Sequence, residues 1–326
     1  MKILNFFLKK QLKILHSPRN PCNIAWVLAE EQRKLGHTSH VMKHDDDVED
    51  SKCDYNLKIS RYQRWSFRYL TYLFFAIKAI LKYDIFIFHT GITLLPNHRD
   101  LPVLKFLGKK IFFYFHGREV NPNGVPDHAE YYAKHYFVST PDLFKYAPKA
   151  TWIPQAIDMK AYPDPVIEKN KKSVLTILHA ISEDTVEKRL RKGTYDILNT
   201  IKSVKSKGYN IKLDLVVATS QEEFINHLQK ADIVIDQMVL GWYGVISIEA
   251  MFYGKPVLVY ISDNVKKYLP TGCPLILTSP EKLENDLIQL IESNNFLYYS
   301  NSGPEYVSNN HSSQTLVSKI NNVIEK

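Results

Sequence analysis

The sequence predicts an α/β protein made of two doubly wound domains, each built on a parallel sheet. Three observations predict it. Short apolar runs alternate with amphipathic stretches along the whole chain, the pattern of parallel sheets covered on both faces. The alternation is interrupted once, between Trp152 and Lys172, where Pro154, Pro163 and Pro165 are followed by a charged stretch, 168–172, without apolar residues. Each proline restricts itself and the residue before it, so this segment reads as a linker. The 326 residues, 45% of them hydrophobic, are enough for two cores of medium size.

In the first half, apolar runs place strands over 12–16, 39–42, 84–88, 110–115 and 135–139, with helical patterns over 22–35, 61–82 and 102–107. The second half repeats the alternation, with strands over 174–179, 212–217, 233–235, 257–260 and 274–277. Its helices are expected over 194–207, 222–230, 245–253 and 279–293. The expected domains are 1–160 and 161–305. The tail, 306–326, ends in a helix over about 314–325 that is expected to dock on the first domain. Ligands of open α/β sheets sit outside the carboxyl ends of the strands. Two such domains facing each other would enclose a cleft.

Bulk properties narrow the function. A net charge of +8 favours anionic partners such as nucleotides or anionic lipid, although solubility alone also explains it. The three cysteines, Cys22, Cys53 and Cys273, are scattered and form no Cys-x-x-Cys pair, which argues against a zinc site or a disulfide framework and fits a reducing compartment. Residues 1–10 lack the apolar core and cleavage site of a signal peptide, and no run of roughly 18 apolar residues offers a membrane span. A cytoplasmic protein is expected.

The most informative stretch is 236–256. A strand runs into a turn flanked by Gly241 and Gly244, and a short helix then carries a single acid, Glu249, among Ile248, Ala250 and Met251. Glycine lets backbone approach a ligand, and the unpaired amides of a helix start favour phosphate. The amides of Gly244, Val245 and Ile246 are therefore candidates for a diphosphate, and Glu249 for ribose hydroxyls. The plainer reading is an ordinary βα unit with a solvated acid. Lys188, Arg189, Arg191 and Lys192 precede Gly193 between a strand end and a helix, where they could neutralise a diphosphate or simply be solvated. His116, which ends a buried strand beside Gly117, Arg118 and Glu119, is either a cleft residue holding a sugar or acceptor hydroxyl or a satisfied core histidine. His16, before Arg19, and His89, before Thr90 and Gly91, end strands in the same way. The loop after His16 lacks the glycines of a dinucleotide fingerprint.

Over 61–82, Arg61, Arg64, Arg68, Lys78 and Lys82 fall on one stripe at 100° per residue, and Trp65, Phe67, Tyr69, Leu70, Tyr72, Leu73, Phe74, Ile77, Ile80 and Leu81 fill the rest. This helix suits either an anionic membrane surface or a core position with a basic edge. No motif for nucleic acid is present.

The stretches "KGTYDIL" and "GWYGVISIEAMFYGKPVLVY", with "LKILHSP", "DIFIFHTGITLLP" and "DLPVLKFLGKKIFFYFHG" in the first half, resemble the retaining glycosyltransferases of the two-Rossmann-domain (GT-B) type, in particular the family 4 group of bacterial cell-surface enzymes. The resemblance covers most of the chain. It implies a nucleotide-diphosphate sugar as donor substrate, with no cofactor and no metal, in agreement with the absence of a suitable Asp-x-Asp motif. The run Asp45-Asp46-Asp47 reads as a surface loop. By resemblance Glu249 holds the ribose and Lys192 the diphosphate. The turn from Gly241 through Trp242 and Tyr243 to Gly244, Val245 and Ile246 lines the donor site, and His116 lies near the transferred sugar. Arg19, His89 and Arg118 belong to the acceptor side, and a glycan or lipid-linked acceptor is expected, with the protein peripheral to the inner face of the cytoplasmic membrane. Two departures stand out. Trp242 occupies the position of a second family acid, and the arginine that normally precedes the phosphate lysine is missing, a role open to Arg189 or Arg191. A nucleotide-sugar-binding protein without transfer, or a nucleotide-sugar epimerase, fits the same fold.

Overall fold

The computed structural model describes residues 11–44, 51–59, 64–117, 119–120, 122–163, 173–217 and 220–326. The run Asp45–Asp47, Arg61, Arg118 and the charged linker 168–172 lie outside them. The chain divides into two compact units, one reaching Ala156 and regaining Ser313–Lys326, the other Ile157–Ser312.

The first unit contains β1 (Lys13–Ser17), α1 (Ile24–Lys34), β2 (Thr38–Lys43), β3 (Tyr55–Asn56), α2 (Trp65–Lys82), β4 (Ile85–His89), α3 (Leu101–Phe106), β5 (Lys110–Phe115), α4 (Asp127–Tyr132), β6 (His135–Val138) and β7 (Thr151–Trp152). Its seven described strands pair in parallel in the order β3-β2-β1-β4-β5-β6-β7. Side chains alternate across a strand, so β4 and β5 feed two cores. Phe86, Phe88, Phe113 and Phe115 join Ala76, Ala79 and Leu104 on one face. Ile85, Ile87, Phe112 and Tyr114 join Leu28, Leu316 and Ile320 on the other. A sheet buried on both faces explains why these strands read as unbroken apolar runs.

The second unit contains β8 (Leu175–Ala180), α5 (Val186–Lys192), α6 (Thr194–Ser206), β9 (Ile211–Val216), α7 (Gln221–Lys230), β10 (Ile233–Ile235), α8 (Val245–Phe252), β11 (Val257–Tyr260), α9 (Asp263–Lys266), β12 (Ile276–Thr278), α10 (Leu283–Ser293) and α11 (Phe296–His311). Its five described strands are parallel, ordered β12-β11-β10-β8-β9. The last helix, α12 (Ser313–Ile324), packs on α1 in the first unit, where Leu316, Val317, Ile320 and Ile324 are buried.

Three elements differ from the sequence reading. The cationic run at 188–192 is helical, because Thr185 Oγ1 accepts the Lys188 amide and caps α5. The segment 296–311, expected partly as an extension of the second domain and partly as tail, is one helix, and the chain leaves the second unit at Ser312 rather than at 305 because Tyr306, Val307 and His311 are buried there. In α2 only Ala76 and Ala79 are fully buried, so much of the apolar arc that a core position would bury faces outward, beside the exposed Arg64, Lys78 and Lys82.

The helix α11 lies tight against α8. A Cβ on Gly303 would sit well inside van der Waals contact of the Met251 carbonyl oxygen. Glycine to alanine inside a helix normally stabilises, because glycine loses more backbone freedom on folding. Here the sign should reverse. Gly303→Ala is expected to destabilise the second unit by about 1–3 kcal/mol, as overpacking does, read as a lower midpoint in denaturant unfolding. An unchanged midpoint would contradict this packing.

Candidate functional site

In each sheet the strand order reverses once, between β1 and β4 and between β8 and β10. The crevice outside such a reversal is where open α/β sheets bind ligands, since the flanking connections leave in opposite directions.

At the second reversal, β10 delivers Asp236, which is fully buried. One carboxylate oxygen pairs with Lys192 Nζ at 2.5 Å. The other accepts the Ser247 hydroxyl at 2.7 Å and the Gly244 amide at 3.3 Å. Burial alone would raise the Asp236 pKa. The Lys192 charge and hydrogen bond, with Ser247 and Gly244, outweigh it and hold the carboxyl below its ordinary range. Asp236 therefore joins the end of α5 to the start of α8. The neighbouring backbone is built to match. Gly193 is left-handed (φ 69°), and a Cβ there would meet Met238 Cβ at 2.7 Å. The Met238 amide donates to the Lys192 carbonyl at 3.0 Å. Gln237 is buried and ties the following loop, donating to the carbonyls of Trp242 and Tyr260 and accepting the amides of Val239 and Leu240. His179, at the end of β8, is lowered to about 4 by burial and is neutral at pH 7. A carbonyl can only accept, so His179 Nδ1 donates to Ile235 O at 2.8 Å and Nε2 accepts from Thr194 Oγ1 at 2.9 Å.

The start of α8 has no capping side chain, and Gly244, Val245 and Ile246 are half-exposed. The Gly244 amide is already given to Asp236, which leaves Val245 and Ile246 as the amides open to an anion. One and a half turns on, Glu249 is buried. Its Oε1 accepts the Tyr162 hydroxyl at 2.6 Å and Gln221 Nε2 at 3.3 Å. Among the described residues no donor reaches Oε2. Burial raises the Glu249 pKa to about 7, against the opposing effect of its two hydrogen bonds.

The cations and aromatics of the sequence reading separate. Lys192 is at the site. Arg189 is engaged by Asp184 through two hydrogen bonds, 2.5 and 3.0 Å, on the outside of α5. Arg191 is half-buried on the same helix. Trp242 and Tyr243 are buried and stacked at 4.9 Å, and the Tyr243 hydroxyl meets Tyr306 and His311. They are packing residues of the turn. Asp236, Gln237, His179, Tyr162 and Gln221 were not singled out from the sequence. A lone Asp-Gln pair directly after a buried three-residue strand was the available signal for the first two.

At the first reversal, three histidines meet. His16 Nε2 lies 2.9 Å from Gln32 Oε1, His16 Nδ1 lies 3.1 Å from His89 Nε2, and His89 Nδ1 lies 2.9 Å from His116 Nε2. Gln32 Oε1 also accepts from Ser39 Oγ at 2.7 Å. An amide oxygen only accepts, so His16 carries its hydrogen on Nε2 and accepts at Nδ1. His89 then donates from Nε2 and accepts at Nδ1, and His116 donates from Nε2. The chain ends in one lone pair, on His116 Nδ1. Burial lowers His16 to about 4 and His116 to about 3, and burial with two neighbouring imidazoles holds His89 well below its ordinary value. All three are neutral at pH 7. His116 is half-exposed, whereas His89 is fully buried inside the chain. Arg19 is half-buried beside β1, and Arg118 lies outside the described residues.

No family model matches the chain, and no curated protein matches it in sequence. Solved structures match its fold. A glycosyltransferase from Rickettsia africae has a TM-score of 0.67 at 13% identity over 98% of this chain and 100% of that one. HepE from Anabaena in complex with UDP and glucose has 0.65 at 12% identity over 97% and 100%. A UDP-N-acetylglucosamine 2-epimerase (putative in its description) from Listeria monocytogenes has 0.58 at 15% identity over 97% and 96%. The fold is therefore GT-B.

Two outcomes test this geometry. Lys192→Met strands a buried carboxylate and is expected to destabilise the second unit by about 3 kcal/mol, with much of that recovered by adding Asp236→Asn. Equal midpoints for the single and double variants in urea would contradict the pairing. The three histidines have folded-state pKa values below the unfolded 6.5, so between those values the unfolded chain binds more protons and acid weakens the fold. Nitrogen-15 spectra should show His16, His89 and His116 as neutral single tautomers at pH 5.5. An imidazolium signal from any of them at that pH would break the assignment.

Proposed function

We propose that the protein is a retaining glycosyltransferase that moves a sugar from a nucleotide diphosphate to a hydroxyl of a glycan or lipid-linked acceptor. The observation that carries this reading is the cluster at the second reversal: an anchored lysine, open helix amides and a buried acid with one free oxygen, all outside the carboxyl ends of β8 and β10. The HepE structures of the same fold, which hold UDP, glucose and UDP-glucose, support a nucleotide-sugar as ligand.

In this reading the diphosphate lies at the start of α8. Val245 and Ile246 offer amides, and Lys192, oriented by Asp236, offers its remaining N–H donors. Glu249 Oε2 accepts a ribose hydroxyl while Tyr162 and Gln221 hold Oε1. In transfer, the bond between the anomeric carbon and the diphosphate oxygen breaks with its electron pair going to the diphosphate, the acceptor oxygen bonds to the same face, and the acceptor proton passes to the departing diphosphate oxygen. The growing charge on the diphosphate is stabilised by Lys192 and the amides. His116 Nδ1, in the first unit, is an acceptor for a sugar or acceptor hydroxyl, and His89 and His16 hold its tautomer. Trp242, packed inward, gives the donor sugar no carboxylate where the resembling family has one.

Thermal shift with UDP, GDP and ADP ranks the nucleotide, because a ligand bound to the folded state stabilises it. Glu249→Ala is expected to weaken the preferred nucleotide about tenfold or more, the effect of losing a hydrogen bond to a charged group. The Glu249 carboxyl ionises near 7, so wild-type affinity should rise as pH increases through that value and the Glu249→Gln variant should lose the dependence. Unchanged affinity in Glu249→Ala would place the ribose elsewhere. Release of nucleotide only when acceptor is present supports transfer, and interconversion of the sugar nucleotide without acceptor would support epimerisation instead.

A further inference from the structure

In the first unit a cavity of about 390 Å³ opens between α2, the end of β2 and the loop after β4. Its volume is in the range of small-molecule sites. None of its described lining residues belongs to the donor cluster or to the three-histidine chain. Helical spacing builds one wall, because Trp65, Arg68, Tyr69 and Tyr72 stand at i, i+3, i+4 and i+7 of α2. The Trp65 and Tyr69 rings are stacked, 5.4 Å apart and 17° from parallel. The loop after β4 contributes Ile92, Leu95 and Pro96. Rings and aliphatic carbons therefore make most of the lining, which favours a ligand with a flat apolar body.

Two side-chain atoms of the lining are shut away from water without a hydrogen-bond partner, Arg68 Nε and His44 Nε2. His44 is 8% exposed, with its amide donating to Pro18 O at 3.1 Å and its ring 4.8 Å from that of Tyr72. Burial, reinforced by the Arg19 charge, lowers His44 to about 3, so its ring is neutral at pH 7 and has one N–H to give. A buried donor left unpaired is costly, more so when it is charged. Thr93 is answered already, donating from Oγ1 to Asp100 at 2.7 Å and meeting His98 Nδ1 at 3.3 Å. Water would satisfy the two open donors and leave the Arg68 charge uncompensated. No Asp or Glu is among the described lining residues, and Asp100, the nearest acid in sequence, is held by Thr93, Leu94 and Leu95. The Arg99 guanidinium, 6.0 Å from the Tyr69 ring centroid, adds to the positive field. The cavity is built for an anion.

The number and kind of open groups narrow that anion. Two N–H donors match the two oxygens of one carboxylate, the planar group that arginine holds best. A phosphate brings more charged oxygen than two donors can answer. A sugar carries hydroxyls around its ring, and the aromatic and aliphatic walls give them no partner. An aryl carboxylate uses what the lining provides at both ends. Trp65, although it lines the cavity, is 68% exposed, and a bound ring would cover that surface.

We propose that this cavity is a binding site for an aryl carboxylate, with Arg68 Nε and His44 Nε2 on the carboxylate and the ring against Trp65, Tyr69 and Tyr72. The assignment rests on the cavity alone, so its test needs binding only and stands or falls independently of glycosyl transfer.

The full chain is titrated calorimetrically with 2-naphthoate, 2-naphthylmethanol, acetate and octanoate. The naphthoate should bind at least about tenfold more tightly than any of the others, since the alcohol lacks the charge, acetate the ring and octanoate the flat shape. Equal binding of the alcohol would make this a plain apolar pocket, equal binding of acetate a plain anion site, and equal binding of octanoate a slot for any apolar chain. No binding of the naphthoate would dismiss the site, and each of these four results overturns the proposal. Arg68→Leu should bring the naphthoate and the alcohol to within about twofold of each other. It should leave the melting temperature of the free protein unchanged or higher, because it removes an unpaired buried donor. A retained preference for the naphthoate in that variant would overturn the assignment to Arg68. The wild-type Arg68 Nε–H resonance gives a readout that needs no variant. It should shift on adding the naphthoate and stay in place on adding the alcohol, and an unmoved resonance at saturating naphthoate also overturns the proposal.

Discussion

A carboxylate shut away from water has to be compensated where it stands, and Asp236 is compensated by elements far apart in the chain. Lys192 ends α5, Gly244 precedes α8 and Ser247 lies in its first turn. Losing any of them would leave part of a buried charge unanswered, which costs more than a surface pair could ever contribute. The local backbone follows from that demand. Gly193 is needed because the chain must turn within van der Waals distance of Met238 to bring Lys192 onto the carboxylate. Gln237 uses all its hydrogen-bonding capacity to hold the loop that carries Gly244 into place.

The two units solve the same topological problem with different chemistry. At a strand-order reversal the carboxyl ends of adjacent strands are left uncovered, so polar side chains collect there. The second unit fills the position with an ion pair and a neutral histidine. The first fills it with three imidazoles whose hydrogen bonds all run toward Gln32, leaving a single acceptor at His116. A buried network of this kind holds only when every member is satisfied, which is why Gln32 and Ser39 belong to it as much as the histidines do.

The helix α2 divides its labour by face. Its alanines meet the sheet, its aromatic and arginine residues line a cavity, and its larger apolar residues face outward. Leu73, Phe75 and Ile80 pack with the alanines against the core of the first unit, whereas Phe67, Leu70, Phe74, Ile77 and Leu81 are exposed.

Much of this molecule was legible in the sequence, because strand and helix periodicity report burial directly. The central strands β4, β5 and β10 follow from unbroken apolar runs, since a sheet covered on both faces tolerates little polar alternation, whereas the outer strand β9 alternates, with Lys212 exposed. Glu249 and Lys192 stood out as charges where an apolar helix or a glycine turn made them conspicuous. What composition could not tell was direction. Arg189 and Lys192 lie on one short helix three residues apart, yet one pairs outward with Asp184 and the other inward with Asp236. His16, His89 and His116 each read as a separate strand end, and only parallel pairing of β1, β4 and β5 joins them. Asp236 looked like any acid after a strand until α5 and α8 closed over it. Periodicity is a property of neighbours along the chain and is written in the sequence. Which distant groups share a buried site depends on the register between strands and helices, and that is settled only when the tertiary structure forms.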